Sequence, residues 1–207
     1  LPQRRINASE LPSATDKRAM LERSIEQLTE AGYRYVGMDH FALPDDELAT
    51  AQEDGTLQRN FQGYTTHGHC DLVGLGVSSI SQIGDLYCQN HSDINLYQQS
   101  LGNDQLATVR GLICNQDDRI RRAAIQQITC EFQLSFSELE KTYDLDVHEY
   151  FGEIWPQLEQ LAADGLIELA ADRLVVMPPG RLLVHALCVL FDRYQPHLAT
   201  PRLSQVI

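Results

Sequence analysis

The beginning of the chain has a helical pattern of apolar positions, followed directly by a strand-like one. Apolar residues recur at helical spacing over residues 16–31, and Gly32 follows them as a helix-ending residue. The run 33–38 is rich in residues that favour strands. A helix, a short turn and a strand form one unit of an α/β sheet, in which ligand groups collect at the carboxyl ends of strands. Asp39 and His40 are therefore candidate site residues.

Two interpretations of Asp39 and His40 are open. A carboxylate can hold an imidazole in one tautomer and one orientation, as acid–base chemistry requires. Adjacent residues on a strand point to opposite faces, so a direct pair requires that the strand has already ended. The alternative is that both residues only cap the chain or form hydrogen bonds in a turn.

The middle of the chain is rich in glycine, serine and threonine. A helix is predicted to open at residues 44–47, where proline and acidic residues suit the first turn, and to stop near Gly55. Residues 59–66 and 72–81 are expected to be extended or irregular, and the polar segment 67–71 joins them. So many small residues indicate that the backbone approaches a neighbour closely.

Two short motifs in this region have ligand-binding features but are incomplete. Segment 74–79 contains Gly74 and Gly76, yet it lacks the third glycine and the basic residue of phosphate-binding loops. The other interpretations are a buried turn between packed elements and a backbone that closes on a bulky flat ligand. His67 and His69 would need a third or fourth ligand to hold a metal ion, so no metal site is predicted.

From Asp117 onward the pattern changes to helices and one hairpin. The predicted elements, in chain order, are a helix over 121–132, a short helix opened by the capping box Ser135-x-x-Glu138, a helix over 147–161 that Pro156 kinks or splits, a hairpin of 166–169 and 174–177, and a last helix to about Tyr194. Three helices and a hairpin form a winged-helix pattern. We therefore divide the chain into residues 1–112 and a helical, winged-helix-like domain over residues 113–207.

Charge narrows the possible partners. The chain has 16 basic and 29 acidic residues and a formal net charge of −13. This sign opposes phosphate, so neither nucleic acid nor an anionic membrane is expected as a partner. The predicted helix 147–161 is acidic and has no Lys or Arg, which argues against a DNA-reading helix. No apolar run approaches the ~20 residues of a membrane-spanning helix.

The cysteines do not form a metal-binding motif. Five are present, and no two have the close spacing of a zinc or iron–sulfur site. An odd number without a secretion signal indicates reduced thiols, mostly buried, in a cytoplasmic protein. The sequence begins at Leu1 without an initiator Met, so we expect it to be a piece of a longer chain.

Three long words in the sequence are distinctive: Gly37-Met38-Asp39-His40-Phe41-Ala42-x-Pro44-Asp45-Asp46-Glu47-Leu48, Arg59-Asn60-Phe61-Gln62-Gly63-Tyr64-Thr65-Thr66 and Gly74-x-Gly76-Val77-Ser78-x-Ile80-Ser81. Taken together, they closely resemble the oxygen-independent coproporphyrinogen III oxidase family, also called coproporphyrinogen dehydrogenase. Shorter words, Asp118-x-Ile120-Arg121-Arg122 and Gly180-Arg181-Leu182-Leu183, extend the resemblance from about residue 9 to residue 207.

The resemblance implies the last unit or units of a partial (β/α) barrel of radical S-adenosylmethionine enzymes, followed by the helical C-terminal domain. The family's Cys-x-x-x-Cys-x-x-Cys motif, which holds a [4Fe–4S] cluster, is absent from this sequence. In the complete enzyme, the cluster cleaves S-adenosylmethionine, and the resulting radical starts the conversion of two propionates of coproporphyrinogen III to vinyl groups, giving protoporphyrinogen IX. The electron donor is unidentified, and the chain alone is expected to be inactive.

The resemblance also suggests site residues. Phe61, Gln62 and Ile80 match positions that line the cofactor pocket of the family; ordinary core packing or surface hydrogen bonding is the alternative. Arg59 is the nearest basic residue to these words, and its guanidinium suits a propionate of the substrate. We predict Arg59, with Asp39 and His40, as substrate-binding residues and assign no catalytic residue.

Two rival functions differ in their expected sequence features. A haem-chaperone relative would have Ser-Asn-Phe-Ala in place of Met38-Asp39-His40-Phe41-Ala42 and would lack the word at residues 60–66. The second rival is a non-enzymatic winged-helix interaction protein, in which residues 1–110 are accessory. Binding in a gel shift or pull-down would favour that rival.

Overall fold

The first half of the chain consists of three antiparallel sheets and three helices. The computed structural model describes residue 7 and residues 10–194. The C-terminal part of the family resemblance, residues 195–207, lies outside this range. The elements are α1 (Ala14–Glu30), β1 (Arg34–Gly37), β2 (His40–Ala42), α2 (Glu47–Glu53), β3 (Gln58–Asn60), β4 (Gly63–Thr65), β5 (Ile80–Ile83), β6 (Leu86–Asn90), α3 (Ile94–Gly102) and β7 (Thr108–Ile113).

The predicted strand after α1 exists, but its setting differs from the prediction. β1 pairs with β2 in an antiparallel hairpin, so the chain reverses at Met38 and His40 lies in the returning strand. Met38 has a φ of 53°, and Gly37 has a φ of 150°. These backbone angles turn the chain directly after the strand, so Asp39 and His40 lie in a hairpin and not at the strand end of an α/β unit. Every strand pair in the described part of the chain is antiparallel.

The second half follows the sequence prediction closely. Its elements are α4 (Gln116–Glu131), β8 (Gln133–Ser135), α5 (Phe136–Tyr143), α6 (Val147–Tyr150), a 3₁₀ turn (Gly152–Ile154), α7 (Trp155–Ala163), β9 (Ile167–Leu169), β10 (Arg173–Val176), α8 (Pro178–Arg181) and α9 (Val184–Phe191). The Ser135 side chain caps α5 by accepting from the Glu138 N–H. Pro156 lies in the first turn of α7, so the predicted helix 147–161 is split. β8 joins the hairpin in a sheet of order β8-β10-β9.

Most of the buried apolar side chains belong to the second half. One cluster extends from Ile120 on α4 to Phe191 on α9 and encloses the inner faces of all three strands of that sheet. A smaller cluster joins Val36 and α2 to Cys130 on α4. By contrast, α1 has no buried residue and every residue of β7 is exposed.

Side-chain amide and hydroxyl groups connect the two halves. Gln52 on α2 donates from Nε2 to the carbonyl oxygens of Val36, at 2.6 Å, and Cys130, at 3.1 Å. The Tyr64 hydroxyl donates to the Thr129 carbonyl oxygen at 3.0 Å. These contacts hold the hairpins of the first half against α4. No helix in the described part of the chain has the length and apolar character needed to cross a membrane.

Candidate functional site

A cleft of about 650 Å³ lies where the β3–β4 hairpin faces α4 and α9. Arg59 and Phe61 enter it from the first half, and Tyr87 on β6 forms part of the same wall. Arg122 on α4 and Cys188 on α9 line the opposite side. The cleft therefore combines aromatic and thiol surface with several guanidinium groups, and it is the strongest candidate site in the described residues.

Arg59 is the one guanidinium in this cleft without an ion pair among the described residues. Its Nε is buried and has no hydrogen-bond partner there. Its guanidinium carbon lies 5.6 Å from the centre of the Tyr64 ring, which is its cross-strand neighbour. Arg59 as a whole is half-buried, and an anionic ligand would compensate a guanidinium charge that has no carboxylate partner.

The other arginines of the cleft have carboxylate partners. Arg121 donates from Nε to both oxygens of Asp117, at 3.0 and 3.1 Å. Arg193 donates to the same carboxylate. Arg122 lies 3.4 Å from a carboxylate oxygen of Asp85 and donates to the Tyr87 hydroxyl. Among the described residues, Arg59 is therefore the cleft arginine that has no carboxylate partner.

The three predicted cofactor residues lie on two adjoining elements. Phe61 is 58% exposed, and its ring meets Tyr87 edge-on at 5.4 Å between centroids. Gln62 is exposed next to it in the β3–β4 turn, where its N–H donates to the Asn60 side chain. Ile80 is half-buried on β5, outside the lining of the cleft.

The β5–β6 pairing relates Ile80 to Phe61. Gln82 lines the cleft and lies opposite Tyr87 in the register, so its side chain is on the sheet face that Phe61 contacts. Side chains two positions apart on a strand share a face. Ile80 is therefore on the same face as Gln82, one side-chain position further along β5. Arg59 and Phe61 thus both line the cleft, whereas Ile80 lies outside it on the sheet face that Phe61 contacts.

Asp39 and His40 pair with each other at the tip of the β1–β2 hairpin. His40 Nδ1 lies 2.8 Å from an Asp39 carboxylate oxygen, without the angles of a hydrogen bond. The Asp39 side chain is 85% exposed, and the His40 ring meets the Tyr64 ring edge-on. Neither residue lines the cleft. Their contact depends on the turn at residue 38, and their role in substrate binding stays a prediction.

The glycine-rich loop 74–79 is held by side chains of β6 and α3. Asn90 donates from Nδ2 to the carbonyl oxygens of Gly74 and Gly76 and to the Ser79 hydroxyl. The Gly76 N–H donates to the Tyr97 hydroxyl. A Cβ on Gly74 would meet the Ile80 backbone, so this loop needs glycine for close packing. These contacts favour a turn between packed elements over a phosphate-binding loop.

The cysteines are free, as expected, but not all are buried. Cys70 is exposed and Cys88 is half-buried, whereas the other three are buried. Burial raises the pKa of the Cys130 thiol to about 12 and that of Cys188 to about 11. In the described residues, no three His, Cys, Asp or Glu side chains lie close enough to hold a metal ion. The thiols of this chain therefore do not fit an iron–sulfur cluster.

Sequence reasoning did not identify several residues of the cleft. Tyr87 and His185 line it, and Gln126 on α4 contacts the backbone of Arg59. Arg121 and Arg122 appeared only as part of a matched family word. A glutamine in an amphipathic helix carries no chemical signal by itself, and its partner is 67 positions away. Only the tertiary contact reveals it.

Comparisons with known proteins define the class first. Residues 114–183 match the model of the HemN C-terminal domain. A solved structure titled "Coproporphyrinogen III oxidase (HemN) from Escherichia coli is a Radical SAM enzyme" superposes with a TM-score of 0.88 and 46% identity, covering 93% of this chain and 44% of that one. The chain is thus a relative of proteins that carry the HemN C-terminal domain.

The curated relatives that the chain resembles share one name. The chain is 66% identical over its full length to the oxygen-independent coproporphyrinogen III oxidase of Pseudomonas aeruginosa and spans 45% of that protein. It is 47% identical over 93% of its length to the enzyme of the same name from Salmonella typhimurium, of which it spans 42%. The chain is therefore similar along its whole length to oxygen-independent coproporphyrinogen III oxidases, which confirms the resemblance inferred from its sequence words, and it spans less than half the length of these relatives.

Proposed function

We propose that this chain is the C-terminal part of an enzyme that decarboxylates two propionates of coproporphyrinogen III to vinyl groups in the cytoplasm. The observation that carries the proposal is the identity of 66% along the whole chain to a coproporphyrinogen III oxidase. The matched length includes the β3–β4 hairpin, which carries Arg59 and Phe61 into the cleft. The free guanidinium of Arg59 gives the cleft a group that suits a carboxylate-bearing substrate.

In this proposal Arg59 binds one propionate of the substrate. A guanidinium pairs with a carboxylate through two parallel hydrogen bonds, which fix its orientation as well as its charge. The two terminal nitrogens of the guanidinium would donate these bonds, since Nε is enclosed by protein atoms. The net charge of −13 would repel a tetracarboxylate elsewhere on the surface, so binding must depend on a local cation.

The apolar surface beside Arg59 suits a cofactor or the porphyrinogen ring. Phe61 and Ile80 would pack against S-adenosylmethionine, and Gln62 would offer its amide at the hairpin turn. When bound to the complete enzyme, S-adenosylmethionine and its [4Fe–4S] cluster supply one-electron chemistry. This chain contributes walls that exclude water from that chemistry, and its own cysteines hold no part of the cluster.

We also propose that the second half is a winged-helix-like domain and the first half the end of a partial (β/α) barrel. The order helix, strand, helix, helix, strand, strand and the sheet order β8-β10-β9 support the first part. The segment from α6 through the 3₁₀ turn to α7 carries Glu149, Glu153 and Glu159 and no Lys or Arg, so the domain acts as an interaction lobe and not as a DNA reader.

A chimera tests the function. Residues 1–207 replace the matching part of the Pseudomonas aeruginosa relative, and conversion of coproporphyrinogen III is measured without oxygen, with S-adenosylmethionine and a reductant. We expect activity of the same order as that of the parent enzyme. A chimera that folds, binds its cluster and cleaves S-adenosylmethionine but makes no protoporphyrinogen IX would refute the proposal.

A further inference from the structure

Gln126 contacts the backbone of Arg59 in the manner of a neighbouring strand. Its Oε1 accepts from the Arg59 N–H at 3.1 Å, and its Nε2 donates to the Arg59 carbonyl oxygen at 2.5 Å. A side-chain amide has the same donor and acceptor as a peptide group, so these two bonds reproduce one step of a sheet ladder. Helix α4 thereby extends the two-stranded sheet by one pairing.

The position of Arg59 in the hairpin explains why these groups are free for Gln126. Asn60 and Gly63 flank the two-residue turn, and Arg59 lies opposite Tyr64. In an antiparallel pair, hydrogen-bonded and non-hydrogen-bonded residue pairs alternate. Arg59 occupies the non-hydrogen-bonded position, so its N–H and C=O point away from β4. Without Gln126 both groups would lack a protein partner in the described structure.

The amide of Gln126 is itself fixed. The Cys130 thiol, one helical turn later, donates to Gln126 Oε1 at 3.4 Å. Burial raises the pKa of this thiol to about 12, so it keeps its proton and remains a donor. Oε1 therefore faces two donors and Nε2 faces a carbonyl, which leaves one favourable orientation of the amide.

We propose that Gln126 is a positioning residue that sets where Arg59 presents its guanidinium in the cleft. This inference rests on the proposed binding of a substrate propionate by Arg59. Gln126 forms hydrogen bonds to the backbone from which the Arg59 side chain extends. The hairpin turn that contains Phe61 follows two positions later. Gln126 couples the HemN C-terminal domain, of which α4 is the first helix, to the substrate-binding hairpin.

The test uses Gln126→Met in the chimera described above, because Met keeps the length of the side chain and removes both hydrogen bonds. Binding of coproporphyrin III, the coloured oxidised form with the same carboxylates, is measured by absorbance titration, and kcat and KM are measured for coproporphyrinogen III. We expect Kd and KM to rise about tenfold, the size expected when one charge-assisted contact is lost, with a smaller change in kcat.

The double variant with Arg59→Ala separates positioning from direct contact. If Gln126 acts through Arg59, the double variant binds no more weakly than Arg59→Ala alone. Multiplying effects would mean that Gln126 contacts the ligand itself and would overturn the inference, as would an unchanged Kd in Gln126→Met. If Gln126→Met fails to fold, Gln126→Asn, which is one methylene too short to make both bonds, is used in the same cycle.

Gln127→Ala is the matched control on the same helix. Its amide accepts from the Ser135 N–H at 2.8 Å and contacts Glu138, so it stabilises the start of α5 and not β3. We expect it to lower the thermal midpoint without changing Kd. A rise in Kd equal to that of Gln126→Met would show a general loss of structure and overturn the inference. An inactive parental chimera would contradict the proposed function, whereas an active chimera insensitive to Gln126 contradicts only this inference.

Discussion

Residues 116–191 and residues 14–113 differ in where their apolar side chains lie. In the helical half, α4, α9 and the β8-β10-β9 sheet enclose one continuous core. In the first half, Leu75, Leu106 and Ile113 are among several large apolar residues that stay exposed. The helical half is therefore held by its own packing, whereas the hairpins of the first half have a smaller apolar cluster and also depend on side-chain hydrogen bonds from α2 and α4. The candidate site lies at the junction between the two halves, where the β3–β4 hairpin faces the helical half.

The largest loss of stability is expected for a buried leucine, which is compared with an exposed one. Leu174 is fully buried on β10, whereas Leu75 is 87% exposed in the glycine-rich loop. Leu174→Ala should lower the free energy of unfolding by about 2–5 kcal/mol, through lost burial and a cavity. Leu75→Ala should change it by less than about 0.5 kcal/mol. Urea unfolding followed by circular dichroism measures both, and equal losses would contradict the contrast between the halves.

The junction between the halves is tested by Gly37→Ala. A Cβ at Gly37 would collide with the Tyr64 hydroxyl, which donates to the Thr129 carbonyl oxygen on α4. The clash and the strained φ should cost about 1–3 kcal/mol. Gly152→Ala is the control, because a Cβ there meets nothing within 4 Å and its φ is not positive. A thermal melt in which both variants lose equal stability would show that the Tyr64 contact does not matter.

The third prediction concerns how the stability of the helical half depends on pH through the Asp117 carboxylate. Burial alone would raise the pKa of Asp117, but hydrogen bonds from Tyr150, Arg121 and Arg193 outweigh it, and the pKa is lowered from 3.8. The contribution to stability is thus complete above the unfolded pKa and is lost as the pH falls through the lower folded pKa. Asp117→Asn should cost about 1–3 kcal/mol near pH 7.

Asp117→Asn should also make the free energy of unfolding depend less steeply on pH in the acidic range. Unfolding measured between pH 5 and pH 2, about the range over which such carboxylates titrate, should show a smaller decline for Asp117→Asn than for the parent. An equally steep decline would mean that other carboxylates cause it. Asp146→Asn serves as a comparison, since Asp146 caps the short helix α6 and has no arginine partner in the described structure.

The smallest change in stability is expected when an exposed ion pair on α1 is removed. Arg18 and Glu22 form an ion pair at 2.8 Å with both side chains largely in solvent. Such a pair on a helix contributes only about 0.3–0.5 kcal/mol. Arg18→Ala should therefore leave the urea midpoint almost unchanged, and raising the salt concentration should remove the remaining difference. A loss comparable to that of Leu174→Ala would show that α1 is not held as loosely as its exposure indicates.

Sequence patterns predicted the second half well because its signals are local. The capping box at Ser135, the split at Pro156 and the two strands of the hairpin all follow from neighbouring residues. The joining of β8 to that hairpin was not predicted, since it pairs residues nearly forty positions apart. In the first half, α3 was missed although Asp93 caps it, because glutamine and serine dilute its apolar pattern.

By itself, the sequence determined most of the helices, the resemblance to a family, and Arg59, Phe61 and Ile80 as candidate site residues, because each depends on short words or on local periodicity. The tertiary structure decided that His40 lies on a returning strand, that the other arginines of the cleft have carboxylate partners, and that Gln126 grips Arg59. Those features depend on pairing between distant segments. These hydrogen bonds and ion pairs form only when folding brings the distant segments close to each other.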